Sequence, residues 1–396
     1  MPTFLDQFVD PTDPNRVAAF AAPAPAPVRV LGWTLDPESY ASLHERVTRR
    51  SHAERIAALK GLQYAGEIAD GPPVQATGGQ PQGYYVPSDT IVGCELAQQM
   101  GIRHEGDLFG GVVPHAYVST KAISHGLFGS QPAAPPEWDA ALAPRIRSSV
   151  LDGYTAFSKA DARAAGRSLL AAGSVRVKPV RATGGRGQSV ALDADALDRQ
   201  IAEAPNLETD GLVLERNLRK PRTLSIGQVS VGAMRVSYYG LQRLTRNHKG
   251  DWVYGGSDLT CVCGDLDVLH GMPLAPSLKL AINQARAYHA AVMETFPGFM
   301  ASRINYDVAQ GRDDAGRWCS GVLEQSWRIG GATGAEIAAM EVFRAEPHRQ
   351  QVRASCVEVF GEAELPPGAR VYFSDIDPAV GRLTKYSFVE PHADPT

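Results

Sequence analysis

The chain has 396 residues, more than one ordinary hydrophobic core accommodates, so its length predicts two or three packed lobes. Hydrophobic residues make up 44% and charged residues 21%, proportions typical of globular proteins. The formal net charge of −4 argues against a dedicated binder of nucleic acid or of an anionic membrane, since both need a basic excess. The sequence contains no long apolar run, and its N-terminus has acids where a signal peptide needs basic residues. We therefore expect a cytoplasmic protein with reduced cysteines, without a membrane span.

The first part of the chain alternates between strand-like and helix-like patterns. Residues 1–27 are rich in alanine and proline and predict a flexible arm. A strand is expected at 28–33 and a helix within 38–62, where apolar residues recur at helical spacing. A Gly- and Pro-rich loop at 70–83 precedes another extended piece and a helix. This alternation predicts a small α/β lobe over residues 28–115.

A lysine and a glycine-rich hairpin follow. Lys121 opens a short predicted helix, and residues 158–173 predict a clear helix whose N-cap is Ser158. The strand SVRVKPV then carries Lys178, and SVAL resumes as a strand after a glycine-rich turn. The turn contains Gly184, Gly185, Arg186 and Gly187. Backbone N–H groups of glycines can approach phosphate oxygens closely, although a plain β-hairpin with a glycine turn is the alternative.

Three elements with candidate binding residues come next. An apolar strand, LVLE, ends at Glu215, and one interpretation of this residue is a surface glutamate at a strand end. The segment 277–296 predicts a long amphipathic helix, with His289 among its apolar residues as a packed, hydrogen-bonded side chain. Two further strands, joined by the turn GRDDAG, carry Asp307 and Glu324. Helices are expected for GAEIAAMEVF and for HRQQVRASCVEVFG near the C-terminus.

Asp307 and Glu324 form a candidate metal site. Two carboxylates on adjacent strands repel each other unless a cation lies between them. Mg²⁺ prefers oxygen ligands and bridges carboxylates to phosphates. The pair therefore predicts one or two Mg²⁺ ions held against a nucleotide. The alternative is two solvated strand carboxylates, which the apolar surroundings of VLEQSW disfavour.

The order of these motifs resembles the ATP-grasp superfamily, and most closely a bacterial branch with motifs similar to biotin carboxylase. The resemblance covers roughly residues 115–345 and rests on the segments VKPVRATGGRGQ, LERNLRKPRTLSIGQV and LEQSWRIGG together with Lys121. It implies an α+β fold in which two subdomains enclose ATP, preceded by the α/β lobe. The expected divisions are the lobe at 28–115, a first subdomain with the glycine hairpin at 116–220, and a second with the metal site at 221–396.

The resemblance also implies roles for individual residues. The expected nucleotide-binding residues are Lys121, Lys178, Gly184, Gly185, Arg186, Gly187, Glu215, Arg216 and Leu218. The expected metal ligands are Asp307, Glu324 and Ser326, and the expected catalytic residues are Arg328 and Lys178. The chain departs from the family at Ser225, where the branch has a glutamate, and at Ser326, where many members have an asparagine. The first departure puts ribose or adenine contacts in doubt, and the second a second metal ion.

The implied activity is that of an ATP- and Mg²⁺-dependent ligase, which activates a small-molecule carboxylate as an acyl phosphate for attack by an amine or similar nucleophile. Arg235 and Arg303 are further candidates to hold substrate acids, with salt-bridged arginines as the alternative. Two other functions stay open. One is a small-molecule kinase of ATP-grasp type, and the other is a nucleotide-binding protein without turnover. We expect small-molecule partners and no nucleic acid or membrane, while an oligomer is compatible with the sequence.

Overall fold

The structure, a computed structural model, describes residues 29–35, 42–68, 83–182 and 187–391. The predicted arm at 1–27 and nearly all of the predicted loop at 70–83 lie outside the described residues. So do three residues of the glycine turn, Gly184, Gly185 and Arg186. In the described part of the chain, no helix is long and apolar enough to cross a membrane.

The N-terminal part of the chain forms the predicted small α/β lobe. Its elements are β1 (Arg29–Trp33), α1 (Leu43–Lys60), β2 (Gln63–Ile68), β3 (Tyr84–Pro87), β4 (Ile91–Val92), α2 (Cys94–Gln99) and β5 (Gly111–Val113). Strands β2, β1 and β3 form a parallel sheet in that order. Helix α1 ends at Gly61, whose φ of 67° is left-handed and therefore favours glycine.

A second layer carries the lysine of the glycine hairpin. Its elements are α3 (Leu142–Ile146), β6 (Gly153–Ala156), α4 (Lys159–Leu170), β7 (Val175–Pro179), β8 (Ser189–Ala191), α5 (Ala194–Glu203), α6 (Leu207–Asp210) and β9 (Leu212–Arg216). The four strands form an antiparallel sheet in the order β6-β9-β7-β8. The predicted hairpin and the N-cap of α4 are confirmed, since Ser158 Oγ accepts a hydrogen bond from the Asp161 N–H at 3.0 Å. The helix predicted to open at Lys121 is a single 3₁₀ turn, Lys121–Ser124.

The rest of the chain builds a large antiparallel sheet. Its elements are β10 (Arg219–Val231), β11 (Met234–Arg246), β12 (Trp252–Cys263), α7 (Leu266–Gly271), α8 (Pro276–Thr295), β13 (Met300–Ala301), β14 (Arg303–Arg312), β15 (Trp318–Ser326), α9 (Thr333–Ala345), β16 (Gln351–Val359), β17 (Arg370–Asp377) and β18 (Gly381–Val389). Eight strands pair in the order β15-β14-β10-β11-β12-β16-β18-β17. The apolar face predicted for α8 packs on one face of this sheet, against Ile226 and Tyr306. Helix α9 packs against the opposite face, and β13 joins the lobe by pairing with β5.

The predicted C-terminal helix HRQQVRASCVEVFG is wrong, because this segment forms the strand β16. Val352, Ala354 and Cys356 are buried at alternate positions, as in a strand that packs one face on a core. Strands β12 and β18 pair with β16 on both sides. These partners lie far away in sequence, so long-range pairing decides a segment whose short pattern fits either structure.

The turn between β14 and β15 ties the large sheet to the second layer. Asp314 Oδ2 accepts hydrogen bonds from the Ser174 N–H at 2.7 Å and from its hydroxyl at 2.6 Å. Its other oxygen accepts from Arg219 Nε at 2.9 Å. The neighbouring Asp313 accepts from Arg216 Nη1 at 3.1 Å. These contacts fix the connection between the two layers close to the end of β9.

Candidate active site

Lys178 lies at the buried interface between the second layer and the large sheet rather than on a surface. It is 1% exposed near the end of β7. Its Nζ is 2.9 Å from Glu215 Oε1 and donates a hydrogen bond to the Leu323 carbonyl on β15 at 3.3 Å. A positive charge on a central strand of the second layer therefore reaches the large sheet, beside the beginning of the glycine turn.

Glu215 keeps the charge of Lys178 in place. Its carboxylate is also 3.2 Å from Nε2 of the buried His125. Burial by itself raises the pKa of Glu215, but the Lys178 charge and the His125 hydrogen bond outweigh it and lower the pKa to about 2. The glutamate is thus ionised, and its two oxygens are engaged by protein groups. Its predicted contact with adenine stays a prediction.

Lys121 connects the second layer to the candidate metal site. Its Nζ lies 2.9 Å from Glu324 Oε2 and also donates to the carbonyl of Ala182, at the start of the glycine turn. The side chain is 6% exposed. The two lysines predicted to contact phosphate thus converge from different segments on the same strand, β15.

Asp307 and Glu324 are direct register partners on β14 and β15. Asp307 is buried, and burial together with the nearby Glu324 charge raises its pKa. A cation between the two carboxylates would reduce their mutual repulsion. Among the described residues, no group of three or more His, Cys, Asp or Glu side chains that could hold a metal ion is present. The pair itself offers two carboxylates, and Mg²⁺ uses one or two protein carboxylates and completes its coordination with phosphate and water.

Three side chains that the sequence did not assign to this function orient Asp307. Its Oδ1 accepts hydrogen bonds from Ser225 Oγ at 3.0 Å and from Asn305 Nδ2 at 3.1 Å, and its Oδ2 accepts from Gln242 Nε2 at 2.8 Å. Ser225, noted in the sequence only for replacing a glutamate, lies directly opposite Asp307 on β10. Ser326, predicted as a ligand, is the register partner of Asn305, and its role stays a prediction.

Arg328 lies where the N-terminal lobe meets the large sheet. Its Nε is 3.8 Å from Asp89 Oδ1 of the lobe, and its side chain is 24% exposed. The other two arginines considered as substrate residues are salt-bridged, which confirms the alternative. Arg235 Nη2 is 3.0 Å from Glu105, and the buried Arg303 Nη2 is 2.8 Å from Glu336.

Two of the predicted nucleotide-binding residues lie at the end of β9, where Arg216 is the last residue of the strand and Leu218 follows two positions later. The Arg216 N–H donates to the Asp152 carbonyl at 2.8 Å, and its guanidinium pairs with the carboxylates of Asp152 and Asp313. Leu218 is buried. Gly187, at the end of the glycine turn, has a left-handed φ of 68°. The proposed contacts of these residues with adenine and phosphate stay predictions.

The architecture is similar to that of solved N5-carboxyaminoimidazole synthetases. An N5-carboxyaminoimidazole ribonucleotide synthetase in complex with ADP is 10% identical, with 93% of this chain and 94% of that chain covered and a TM-score of 0.53. The enzyme from Staphylococcus aureus is 9% identical, with 94% and 96% covered and a TM-score of 0.50. These are ATP-grasp enzymes, and the likeness confirms the predicted ATP-grasp fold. No curated protein sequence matches the chain significantly.

The sequence also matches a family directly. Residues 33–387 match the family described as "Protein of unknown function (DUF3182)". The match includes the N-terminal lobe, both layers and the candidate site. The chain, with its ATP-grasp fold, thus belongs to the DUF3182 family.

Proposed function

We propose that this protein is an ATP- and Mg²⁺-dependent ligase that joins a carboxylate to an amine or a similar nucleophile. The observation that carries the proposal is the 2.9 Å contact between Lys121 and Glu324. It joins a lysine of the second layer to a carboxylate of the large sheet, and Lys178 reaches the same strand through the Leu323 carbonyl. The similar fold of the solved synthetases supports the proposal of a ligase.

In the proposed reaction, a substrate carboxylate oxygen attacks the γ-phosphorus of ATP and ADP leaves. The nucleophile then attacks the acyl carbon, inorganic phosphate leaves with the electron pair of the C–O bond, and the nucleophile loses a proton. Lys178 and Lys121 would offset negative charge on the phosphates, and Asp307 and Glu324 would hold Mg²⁺. Bound Mg²⁺ supplies charge neutralisation at the transferring phosphoryl group.

Arg328 is the proposed contact for the reacting carboxylate. Its planar guanidinium can bind two oxygens at once, and it lies at the border of the lobe that we propose shapes the acceptor side. Residues 215–218 would contact adenine, close to the proposed boundary between the subdomains at 220. The protein would contribute mostly positioning and electrostatic stabilisation.

The test is a screen for ADP release with pooled carboxylic acids and amines, using carboxylates labelled with ¹⁸O. A ligase that forms an acyl phosphate transfers one label into inorganic phosphate, because the C–O bond to the phosphorylated oxygen breaks. A kinase gives ADP and a stable phosphorylated compound without free phosphate. Nucleotide binding without ADP release under any mixture would indicate a protein without turnover and contradict the ligase.

A further inference from the structure

A group of charged and polar side chains lies buried between α9 and the large sheet, outside the residues assigned to nucleotide and metal. Glu336, in the first turn of α9, is 0% exposed. It accepts hydrogen bonds from Arg303 Nε at 2.9 Å and Nη2 at 2.8 Å, and from the Tyr238 hydroxyl at 2.6 Å. The surrounding cluster is apolar and includes Ile337 and Met340.

A glycine on β10 leaves space for the Tyr238 side chain of this group. A Cβ atom at Gly227, the register partner of Tyr238, would lie 2.3 Å from the Tyr238 hydroxyl, so a larger residue would displace it. Burying an ion pair commonly contributes no more stability than apolar side chains of similar volume. Stability alone therefore gives no reason to keep Arg303 and Glu336 in this core.

One end of the group reaches Arg328. Arg303 uses its third donor, Nη1, for the backbone carbonyl of Arg328 at 2.6 Å. Because Glu336 holds the guanidinium by two other hydrogen bonds, the position of that carbonyl is tied to α9. The backbone position from which the Arg328 side chain extends is thereby fixed.

The other end reaches Asp307. The single proton of the Tyr238 hydroxyl is shared between Glu336 Oε1 at 2.6 Å and Asn305 Oδ1 at 3.0 Å. Asn305 Nδ2 in turn donates to Asp307 Oδ1 at 3.1 Å. Burial and the charge of Glu336 raise the pKa of Tyr238 well above its usual value, so the hydroxyl keeps its proton. With the amide oxygen facing Tyr238, the amide NH₂ is directed at the carboxylate of Asp307.

We propose that Arg303, Glu336 and Tyr238 are positioning residues that set Arg328 and Asp307 in one fixed relative geometry. The inference rests on the proposed function, because it concerns the residues that would hold the reacting carboxylate and Mg²⁺. It assigns to α9 the task of coupling these two parts of the site. Groups behind a metal ligand act on metal affinity through the orientation of that ligand.

The test compares two buried tyrosines that lie on opposite faces of the large sheet. Tyr238→Phe removes the hydroxyl of the network. Tyr306→Phe removes a hydroxyl that bonds His289 Nδ1 at 2.8 Å on the α8 side. The probe is a Mg²⁺ titration at saturating ADP, read as the rise in melting temperature. We expect Tyr238→Phe to raise the half-saturating Mg²⁺ concentration about tenfold. Tyr306→Phe should leave it unchanged, and ADP affinity at saturating Mg²⁺ should be the same in both.

A second variant separates positioning from folding. Arg303→Met with Glu336→Leu replaces the buried pair by apolar groups and should melt at a temperature close to that of wild type. It should nevertheless show the same increase in the Mg²⁺ requirement as Tyr238→Phe. A wild-type Mg²⁺ requirement in Tyr238→Phe and in the double variant, or an equal loss in Tyr306→Phe, overturns the inference alone. A wild-type protein without any response to Mg²⁺ and ADP overturns the proposed function, and the inference with it.

Discussion

Lys178 and Glu215 form a buried ion pair, so the effect of each residue on stability depends on the other. Both are almost fully buried, with nitrogen and oxygen 2.9 Å apart. Removing the lysine alone leaves a buried carboxylate without its ion-pair partner, which costs about 3–5 kcal/mol of stability. A loss of nucleotide binding in Lys178→Ala would therefore be ambiguous by itself.

We predict that the double variant Lys178→Met, Glu215→Leu recovers most of the stability that Lys178→Met loses but does not recover nucleotide binding. The apolar pair removes the unpaired charge, although His125 loses its Glu215 partner. The phosphate still lacks its proposed lysine, and adenine lacks its proposed contact with Glu215. Urea denaturation and ADP calorimetry on the same preparations measure the two effects. Lys159→Met is the matched control, because Lys159 is partly exposed and lies at the start of α4 in the same layer. Wild-type ADP affinity in the double variant would remove Lys178 from the site.

We expect substitution of Glu324 to weaken Mg²⁺ binding more than it weakens nucleotide binding. Glu324→Gln keeps the size of the side chain but removes its charge, so we expect the Mg²⁺ requirement for ADP binding to rise about tenfold or more. The control is Glu294→Gln, since Glu294 is an exposed residue of α8 that pairs with Arg145. Equal Mg²⁺ titrations for Glu324→Gln and wild type would place the metal site elsewhere.

Helix α8 contains a histidine that we expect to make stability depend on pH. His289 packs against Phe299 and Tyr306, and burial lowers its pKa to about 4. The unfolded chain binds a proton near pH 6.5, so stability is complete above that pH and falls as the pH drops toward 4. From pH 7 to pH 5 the loss attributable to His289 should be about 2 kcal/mol.

Urea denaturation of wild type and His289→Asn at both pH values measures this contribution. The buried His52 and the partly buried His44 also have lowered pKa values, so the difference between the two proteins is the relevant quantity. The asparagine variant should lose less stability than wild type on acidification. An identical pH dependence in the two proteins would contradict a neutral His289 in the fold.

Sequence patterns predicted elements well where the signal is local. The N-cap at Ser158, the apolar face of α8 and the hairpin after Lys178 are confirmed. The strand β16 was missed because its neighbours β12 and β18 come from distant segments. The nine residues of β16 do not indicate which strands will pair with them.

The candidate site was predicted to a similar extent. Lys121, Lys178, Asp307 and Glu324 carry motif signals, and the structure brings them together where the second layer meets the large sheet. His125, Gln242 and Glu336 were not predicted as parts of the site, because their roles arise from contacts with residues about 30 to 100 positions away. The strand order β14-β10-β11 brings Gln242 to Asp307, whereas the packing of separate elements brings His125 to Glu215 and Glu336 to Arg303. A sequence read along the chain does not contain these contacts.

In the molecule as a whole, the second layer and the large sheet meet at a buried charged interface and are joined at one side by a polar connection. The connection consists of Asp313 and Asp314, which bind Ser174, Arg216 and Arg219. At the interface, Lys121 and Lys178 contact the strand that carries Glu324. A nucleotide bound there would contact both layers at once and should stabilise the folded protein as a unit.

The most direct measurement is the melting temperature of the full chain with ATP and Mg²⁺, with either alone, and with neither. Binding to the folded state at about 100 times Kd adds about 2.7 kcal/mol, which raises the melting temperature by several degrees. We expect this rise in melting temperature only when nucleotide and Mg²⁺ are both present. In the double variant Lys178→Met, Glu215→Leu, we expect the rise to be lost. An unchanged melting temperature of folded wild-type protein at millimolar ATP and Mg²⁺ would contradict the nucleotide site and the ligase built on it.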